Sequence, residues 1–443
     1  MKKPITFLCA QPCIPYYAWQ IEVMLTNFKD CGIAEEFSVH CLFAYNKAEA
    51  DWHDKVNGIK LLQDKFQGIA NFYFYEDKRV YNNDTINAGL NYISSIRPNI
   101  MKQHFKALPQ LSQEAIFYHD CDIVFTKFPD FLYKYNDDDD NWYVSDTIGY
   151  IGHDYIISKG EQVLDKMCEI VGINKNVVKE KQLQSGGAQY LMKGVDWMFF
   201  EKVERDCETL FREITLLNRQ IAEEWRITNP SKPPYHELQI WCSDMWGVLW
   251  NAWMRGYTTS VIKELDFCWA TDNSQRWHET YIYHNAGVTG AHTNLFHKDK
   301  FRAKLPYDET GDWIDKNSAS YKYFSIIKQI APNTCLRDIK FPQVVEWKSN
   351  LNDTADKTEV VVIETYDFDL NFLKFAEHMV FDNENQKVRA DKRFRKCYGD
   401  NQPCENWKTN ANGMKFCTLC GCTTKSKLKS DNASDCPIGK WEE

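Results

Sequence analysis

The run Phe117-Tyr118-His119-Asp120-Cys121-Asp122-Ile123-Val124-Phe125 sets two carboxylates one residue apart inside an apolar, β-prone stretch. Alternation along a strand puts Asp120 and Asp122 on one face. Strand ends beside a crevice are where open α/β sheets bind ligands. Two convergent carboxylates attract a divalent cation, and such a cation attracts a diphosphate. The same spacing also fits an Asp pair that caps a strand in water. Three further clusters can be joined to it. In Gln184-Ser185-Gly186-Gly187-Ala188-Gln189-Tyr190 the paired glycines let backbone approach a ligand closely, with Ser185 and Gln189 flanking them. A tight turn would use the same residues. Trp241-Cys242-Ser243-Asp244-Met245-Trp246 places a carboxylate in apolar company, which is costly unless it is paired or functional. A helix N-cap or a buried pair to an arginine is the plainer use of Asp244. Tyr283-His284-Asn285-Ala286-Gly287 ends a strand on an imidazole just before a glycine, which would set the ring at a pocket rim.

The elements that must position these groups follow from hydrophobic period. Strands are expected at 5–10, 37–44, 70–75, 115–125 and 281–284. Helical spacing is expected over 17–28, 85–96, 99–107, 158–171 (stopped by Gly172), 197–218 and 238–254. Strands alternating with helices at this spacing give an α/β fold with a mostly parallel sheet covered on both faces. Two more strands are expected at 360–364 and 366–373, followed by a charged helix or linker. The acidic run Asp137–Asp140 reads as a solvated loop, with a cation site as the other use.

The order of these motifs resembles the metal-dependent, nucleotide-sugar glycosyltransferases of the GT-A fold, over about residues 1–310. The resemblance implies a GT-A-like mostly parallel mixed sheet in a domain over 1–330. Its nucleotide-binding half spans 1–125 and its acceptor half 126–330. It implies that Asp120, Asp122 and His284 hold Mn2+ or Mg2+ on the diphosphate of a nucleoside-diphosphate sugar, with a UDP-sugar the expected donor. It places Ser185, Gly186 and Gly187 where acceptor and sugar are held, with Asp146 as a further contact. It puts Asp244 where the family often carries a catalytic carboxylate, and Gln189 is the second catalytic candidate. The chain departs from the family in lacking an H-x-x-G-x-x-K-P-W motif: His284 and Gly287 are kept, while Lys298 lies further on. No E-D-x dyad is present either.

The last part of the chain has a different character. A connecting α/β segment is expected over 331–395 and a cysteine-rich module over 396–443. Of sixteen cysteines, ten are scattered through the first 335 residues and six (Cys397, Cys404, Cys417, Cys420, Cys422, Cys436) crowd into the last 47. Scattered thiols in a large chain fit a reducing compartment rather than a disulfide framework. Cys417-Thr418-Leu419-Cys420-Gly421 is a C-x-x-C-G knuckle, a turn that lets two thiolates grip one metal. Cys397, Cys404, Cys417 and Cys420 would complete a tetrahedral Zn2+ site, with Cys422 and Cys436 as alternative ligands. A module this small has little core, so bound zinc would supply its folding energy. The ending resembles small cysteine modules in proteins of large DNA bacteriophages.

Composition bounds the partners. Net charge is −9 over 443 residues, which gives no overall nucleic-acid footprint. From Lys387 to Lys440, however, twelve Lys and Arg face five acids. A basic tail on an acidic protein fits a polyanion, and a hydroxylated base in phage DNA is one acceptor it would suit. Protein and glycan acceptors stay open. No stretch approaches the length of a membrane span. Together these features point to a cytoplasmic protein, in the host cytoplasm if viral. A sugar nucleotidyltransferase shares the fold class and metal. It usually carries a Gly-rich, Arg/Lys-bearing loop after the first strand, where this chain reads Ala10-Gln11-Pro12-Cys13-Ile14-Pro15. A non-catalytic nucleic-acid-binding protein is the other alternative, and the Asp120, Asp122, His284 set argues against it.

Overall fold

Residues buried on alternate sides of consecutive strands build the centre of the molecule. The computed structural model describes residues 4–80, 89–136, 141–337 and 339, and the backbone of 407–409 and 415–417. The chain divides into two units, Met1–Asn82 with Leu90–Pro342, and Asn83–Gly89 with Gln343–Glu443.

In the first unit the strands are β1 (Ile5–Pro12), β2 (Ser38–Tyr45), β3 (Asn71–Glu76), β4 (Ala115–Tyr118), β5 (Ile123–Phe125), β6 (Asn141–Asp146), β7 (Gly186–Lys193), β8 (Thr258–Val261), β9 (Phe267–Trp269) and β10 (Ile282–His284). Seven of them form one sheet in the order β3-β2-β1-β4-β7-β6-β8. The β3-β2-β1-β4 run is parallel. β7 lies antiparallel to both β4 and β6, and β8 rejoins β6 in parallel. Strand order reverses between β1 and β4, the switch point where such sheets open a crevice at their carboxyl ends.

Alternation then fixes two cores. Phe7, Cys9, Ala115 and Phe117 face one side, with helices α1 (Pro15–Asp30) and α2 (Trp52–Lys65) packed against them. Leu8, Ala10, Ile116 and Tyr118 face the other, under α3 (Ile96–Ala107) and α5 (Trp197–Thr228). Between these in sequence, α4 (Glu161–Val171) shares a third cluster with α5 and α6 (Ser243–Met254). A last helix, α7 (Ala319–Ile330), returns to the first core through Tyr323, Phe324 and Ile327. Each fully buried side chain of this size stabilises the fold by ~1.5–3 kcal/mol. Among the described residues no helix is long and apolar enough to cross a membrane.

Several local expectations change. The stretch 115–125 is two strands in two sheets. β4 ends at Tyr118, residues 119–122 turn, and β5 joins a second sheet of order β5-β10-β9. The turn is held because the Asn285 amide donates to the Asp122 carbonyl (2.9 Å) and the Asn27 side chain brackets Phe125. The carboxylates therefore converge through a turn rather than through strand alternation. Helix 85–96 is absent over its described part. Arg79 takes up the carbonyls of Tyr92 and Ile93, and only a 3-10 turn (Ile93–Ser95) precedes α3. The helix expected at 158–171 breaks at Gly160 (φ 123°) and begins at Glu161, while α5 runs ten residues past Asn218 to Thr228.

In the second unit the described backbone is one antiparallel pair, β11 (Trp407–Thr409) and β12 (Lys415–Cys417). Asp137–Asp140, the strands expected at 360–364 and 366–373, and Cys397, Cys404, Cys420, Cys422 and Cys436 lie outside the described residues. Of Cys417 only the backbone is described.

Candidate functional site

Three elements meet beside the switch point. The turn after β4 carries Asp120 and Asp122. The antiparallel register of β10 on β5 sets His284 opposite Ile123, next to that turn. His284 Nε2 stands 3.5 Å from Asp120 Oδ2 and 3.3 Å from Asp122 Oδ1. One ligand atom from each of Asp120, Asp122 and His284 lies within 4.8 Å of the other two. The His284 ring stacks on Trp269 at 14° and 6.0 Å, which shields it from water. Its Nδ1 is buried with no hydrogen-bond partner among the described residues.

Two cations enter from other elements. Arg97, in the first turn of α3, reaches Asp120 at 2.9 Å and Asp244 at 3.3 Å. Lys298, in the 3-10 turn Lys298–Phe301, pairs with Asp122 Oδ2. Burial pushes the Asp122 carboxyl up, yet the Lys298 ammonium and the His284 imidazole outweigh it and hold it well below the usual carboxylate range. Burial works against the Lys298 charge, and Asp122 overrides it, so that ammonium is stabilised. Asp244 behaves differently. Burial raises it, Arg97 and Tyr92 offset this only in part, and the nearby Asp120 charge adds to the rise.

Asp244 sits in the first turn of α6, where the helix dipole favours a carboxylate. The Tyr92 hydroxyl lies 2.6 Å from Asp244 Oδ1 and 2.7 Å from the Trp241 carbonyl, and it accepts from the Asp244 amide (3.1 Å). Asp120, His284, Lys298, Arg97 and Asp244 all line one cleft of about 210 Å³. With its carboxylates ionised, the cluster holds three negative charges against two positive ones. Two carboxylates and an imidazole within reach of one point, with surplus negative charge, fit a hard divalent cation such as Mn2+ or Mg2+.

The remaining sequence candidates fall nearby but do not line this cleft. Ser185 is buried and donates to the Lys181 carbonyl (3.4 Å). A Cβ at Gly187 would meet Tyr190 Oη at 2.5 Å and Met245 Cε at 2.8 Å, and one at Gly186 would strike Val144 and the Ser145 carbonyl. Both glycines thus answer to close packing at a bulge of β7 on β6, where Ala188 takes φ 67°. Gln189 is fully buried, its side-chain amide atoms without a partner among the described residues and its backbone amide donating to Ser145 Oγ (3.2 Å). Asp146 is exposed and accepts from the Ile148 amide (3.1 Å). The β7 residues that do line the cleft are Ala188 and Tyr190. Sequence reasoning passed over Arg97, Tyr92 and Trp269 and set Lys298 aside as displaced. The Arg97-Pro98 step just before an expected helix was the one available signal.

No family model matches the chain. No curated protein matches it either. Solved structures give distant likenesses. The WbbM bifunctional glycosyltransferase (apo) is 9% identical with a TM-score of 0.34, over 65% of this chain and 46% of that one. This chain thus spans less than half the length of WbbM. The galactosyltransferase LgtC, in complex with donor and acceptor sugar analogues, is 12% identical with a TM-score of 0.30, over 74% and 95% of the two chains. A glycosyltransferase involved in glycosylation of the major capsid of PBCV-1 is 12% identical with a TM-score of 0.28, over 67% and 97%.

Proposed function

We propose that this chain is a glycosyltransferase that moves a sugar from a nucleoside-diphosphate sugar, a UDP-sugar in the first instance, to an acceptor hydroxyl. The observation that carries this reading is the convergence of Asp120, Asp122 and His284 within 4.8 Å at the switch point of the sheet. These three residues would hold Mn2+ or Mg2+. Such a cation would supply positive charge to the diphosphate as the anomeric C–O bond breaks.

The chain's own groups share that task. Lys298 and Arg97 bring fixed positive charge to the place where the leaving group gains negative charge, and preorganised charge of this kind lowers the barrier. Trp269 covers His284 and limits access of water, which would otherwise compete with the acceptor. Asp244, held by Tyr92 and Arg97, would accept the hydrogen of an acceptor hydroxyl. Ser185, Gly186, Gly187, Gln189 and Asp146 remain part of the proposal as the layer around the acceptor half. For the cysteine-rich tail the proposal includes one zinc per chain, tested by elemental analysis of protein purified under reducing conditions. Zinc absent from such protein would remove that part.

The main test is hydrolysis and transfer across a panel of UDP- and GDP-sugars with Mn2+. Turnover that needs Mn2+ and is lost in Asp122→Ala is expected. A panel with no turnover and no Mn2+-dependent nucleotide binding would end the proposal.

A further inference from the structure

We infer that the outer half of the cleft is an acceptor subsite for a neutral saccharide ring, with the Trp241 indole as its platform. The inference rests on the donor reading above and names the acceptor class.

Trp241 lies in the 3-10 turn Ile240–Cys242 that leads into α6, and it is 58% exposed although it lines the same cleft as Asp120 and His284. Trp246 and Trp250, one turn apart on the core face of α6, are by contrast fully buried. Water on an indole face costs free energy that packing would recover, so this ring is not placed for the core. It is nonetheless held. Tyr150 stacks beside it at 25° and 6.3 Å and also lines the cleft. The Tyr92 hydroxyl contacts both the Trp241 backbone carbonyl and Asp244, so a single side chain ties the turn that carries the indole to the carboxylate.

A fixed aromatic face beside a carboxylate matches a sugar ring. The axial C–H face of a pyranose is apolar and its rim carries hydroxyls that donate to carboxylate oxygens. A nucleic-acid acceptor needs something else. Its phosphodiesters require cations beyond those already spent on the donor. Among the described residues the cations lining this cleft are Arg97 and Lys298, and both are engaged with carboxylates. The cleft therefore offers stacking and hydrogen-bond acceptance without spare positive charge, which selects a neutral polyhydroxylated acceptor.

The test uses the full chain with Mn2+ and the donor sugar that turns over. The acceptor probes are methyl glucoside, methyl galactoside, lactose and methyl N-acetylglucosaminide, alongside duplex DNA carrying hydroxymethylcytosine and a serine-rich peptide. Transfer to a saccharide is expected, and Trp241→Ala should raise the KM for that saccharide about tenfold or more while kcat changes less than about threefold. Trp241→Phe should recover most of the loss, because a ring face returns. Trp241 is exposed, so these variants leave the core intact. Transfer only to the DNA or the peptide overturns the inference, as does an unchanged saccharide KM in Trp241→Ala. Calorimetric titration of UDP with Mn2+ into the wild type separates the two readings. UDP binding with no saccharide transfer sinks the acceptor inference alone, and no UDP binding sinks both.

Discussion

Replacing Asp122 by Asn probes stability and function through one atom. In the wild type the carboxylate side chain is 6% exposed, pairs with Lys298 on Oδ2 and faces His284 Nε2 on Oδ1. The amide keeps the volume and removes the charge. Lys298 then loses its counter-ion, and a hydrogen bond to a charged group is worth ~2–3 kcal/mol. In a chain of this size that corresponds to a fall in Tm of roughly 2–4 °C. Ligand linkage gives the second magnitude. UDP and Mn2+ at about 100 times Kd should stabilise the wild type by ~2.7 kcal/mol, and Asp122→Asn should gain nothing under the same conditions. Scanning calorimetry of both proteins, apo, with Mn2+, with UDP and with both, reads the two effects together. An Asp122→Asn protein that melts with the wild type and keeps the full rise with Mn2+ and UDP would refute the placement of this carboxylate.

Other consequences are as direct. The imidazoles of His40 and His104 hydrogen-bond each other at 3.0 Å, and burial pulls them from 6.5 to about 4 and about 3. Below pH ~6.5 the unfolded chain takes up protons that the fold refuses, so stability is full above that pH and falls by ~1.4 kcal/mol per pH unit per imidazole towards pH ~4. Urea unfolding at several pH values checks this, and a flat profile over that range contradicts it. Glu22 is fully buried on α1, where it receives the hydroxyls of Tyr307 and Thr334, the Lys65 ammonium and the Cys335 amide. Glu22→Ala leaves the Lys65 charge and those donors without an acceptor and should cost ~3–5 kcal/mol in denaturant unfolding. Gly187→Ala should lose ~1–3 kcal/mol by overpacking against Tyr190 and Met245. Because both neighbours line the cleft, its acceptor KM should rise as well, and an unchanged melt and KM would show that the strand yields freely.

The parallel half of the sheet was legible because β1, β2 and β3 are apolar runs at ordinary strand length, separated by helical spacing. The site was legible where chemistry is local. Two acids in an apolar run, and a histidine ending a strand before Gly287, are side chains that could hold a metal whatever brings them together. The physical route was misread: a turn between two sheets, not strand alternation, makes Asp120 and Asp122 converge. Arg97 and Lys298 were not legible as partners. Lys298 meets Asp122 across 176 positions and Arg97 meets Asp244 across 147, and no local period records a pairing at that range. The Gly186-Gly187 pair shows the converse. Its signal was real, but the close approach it permits is to Tyr190, Met245 and Val144.

A crystal of the full chain grown with UDP and soaked in Mn2+, with anomalous differences collected at the manganese edge, would locate the metal against Asp120, Asp122 and His284. One strong peak is expected about 2.0–2.3 Å from carboxylate oxygens of Asp120 and Asp122 and from Nε2 of His284, in contact with the UDP phosphates. A manganese peak on the UDP that none of these three side chains approaches, or UDP bound elsewhere on the chain, would contradict that placement.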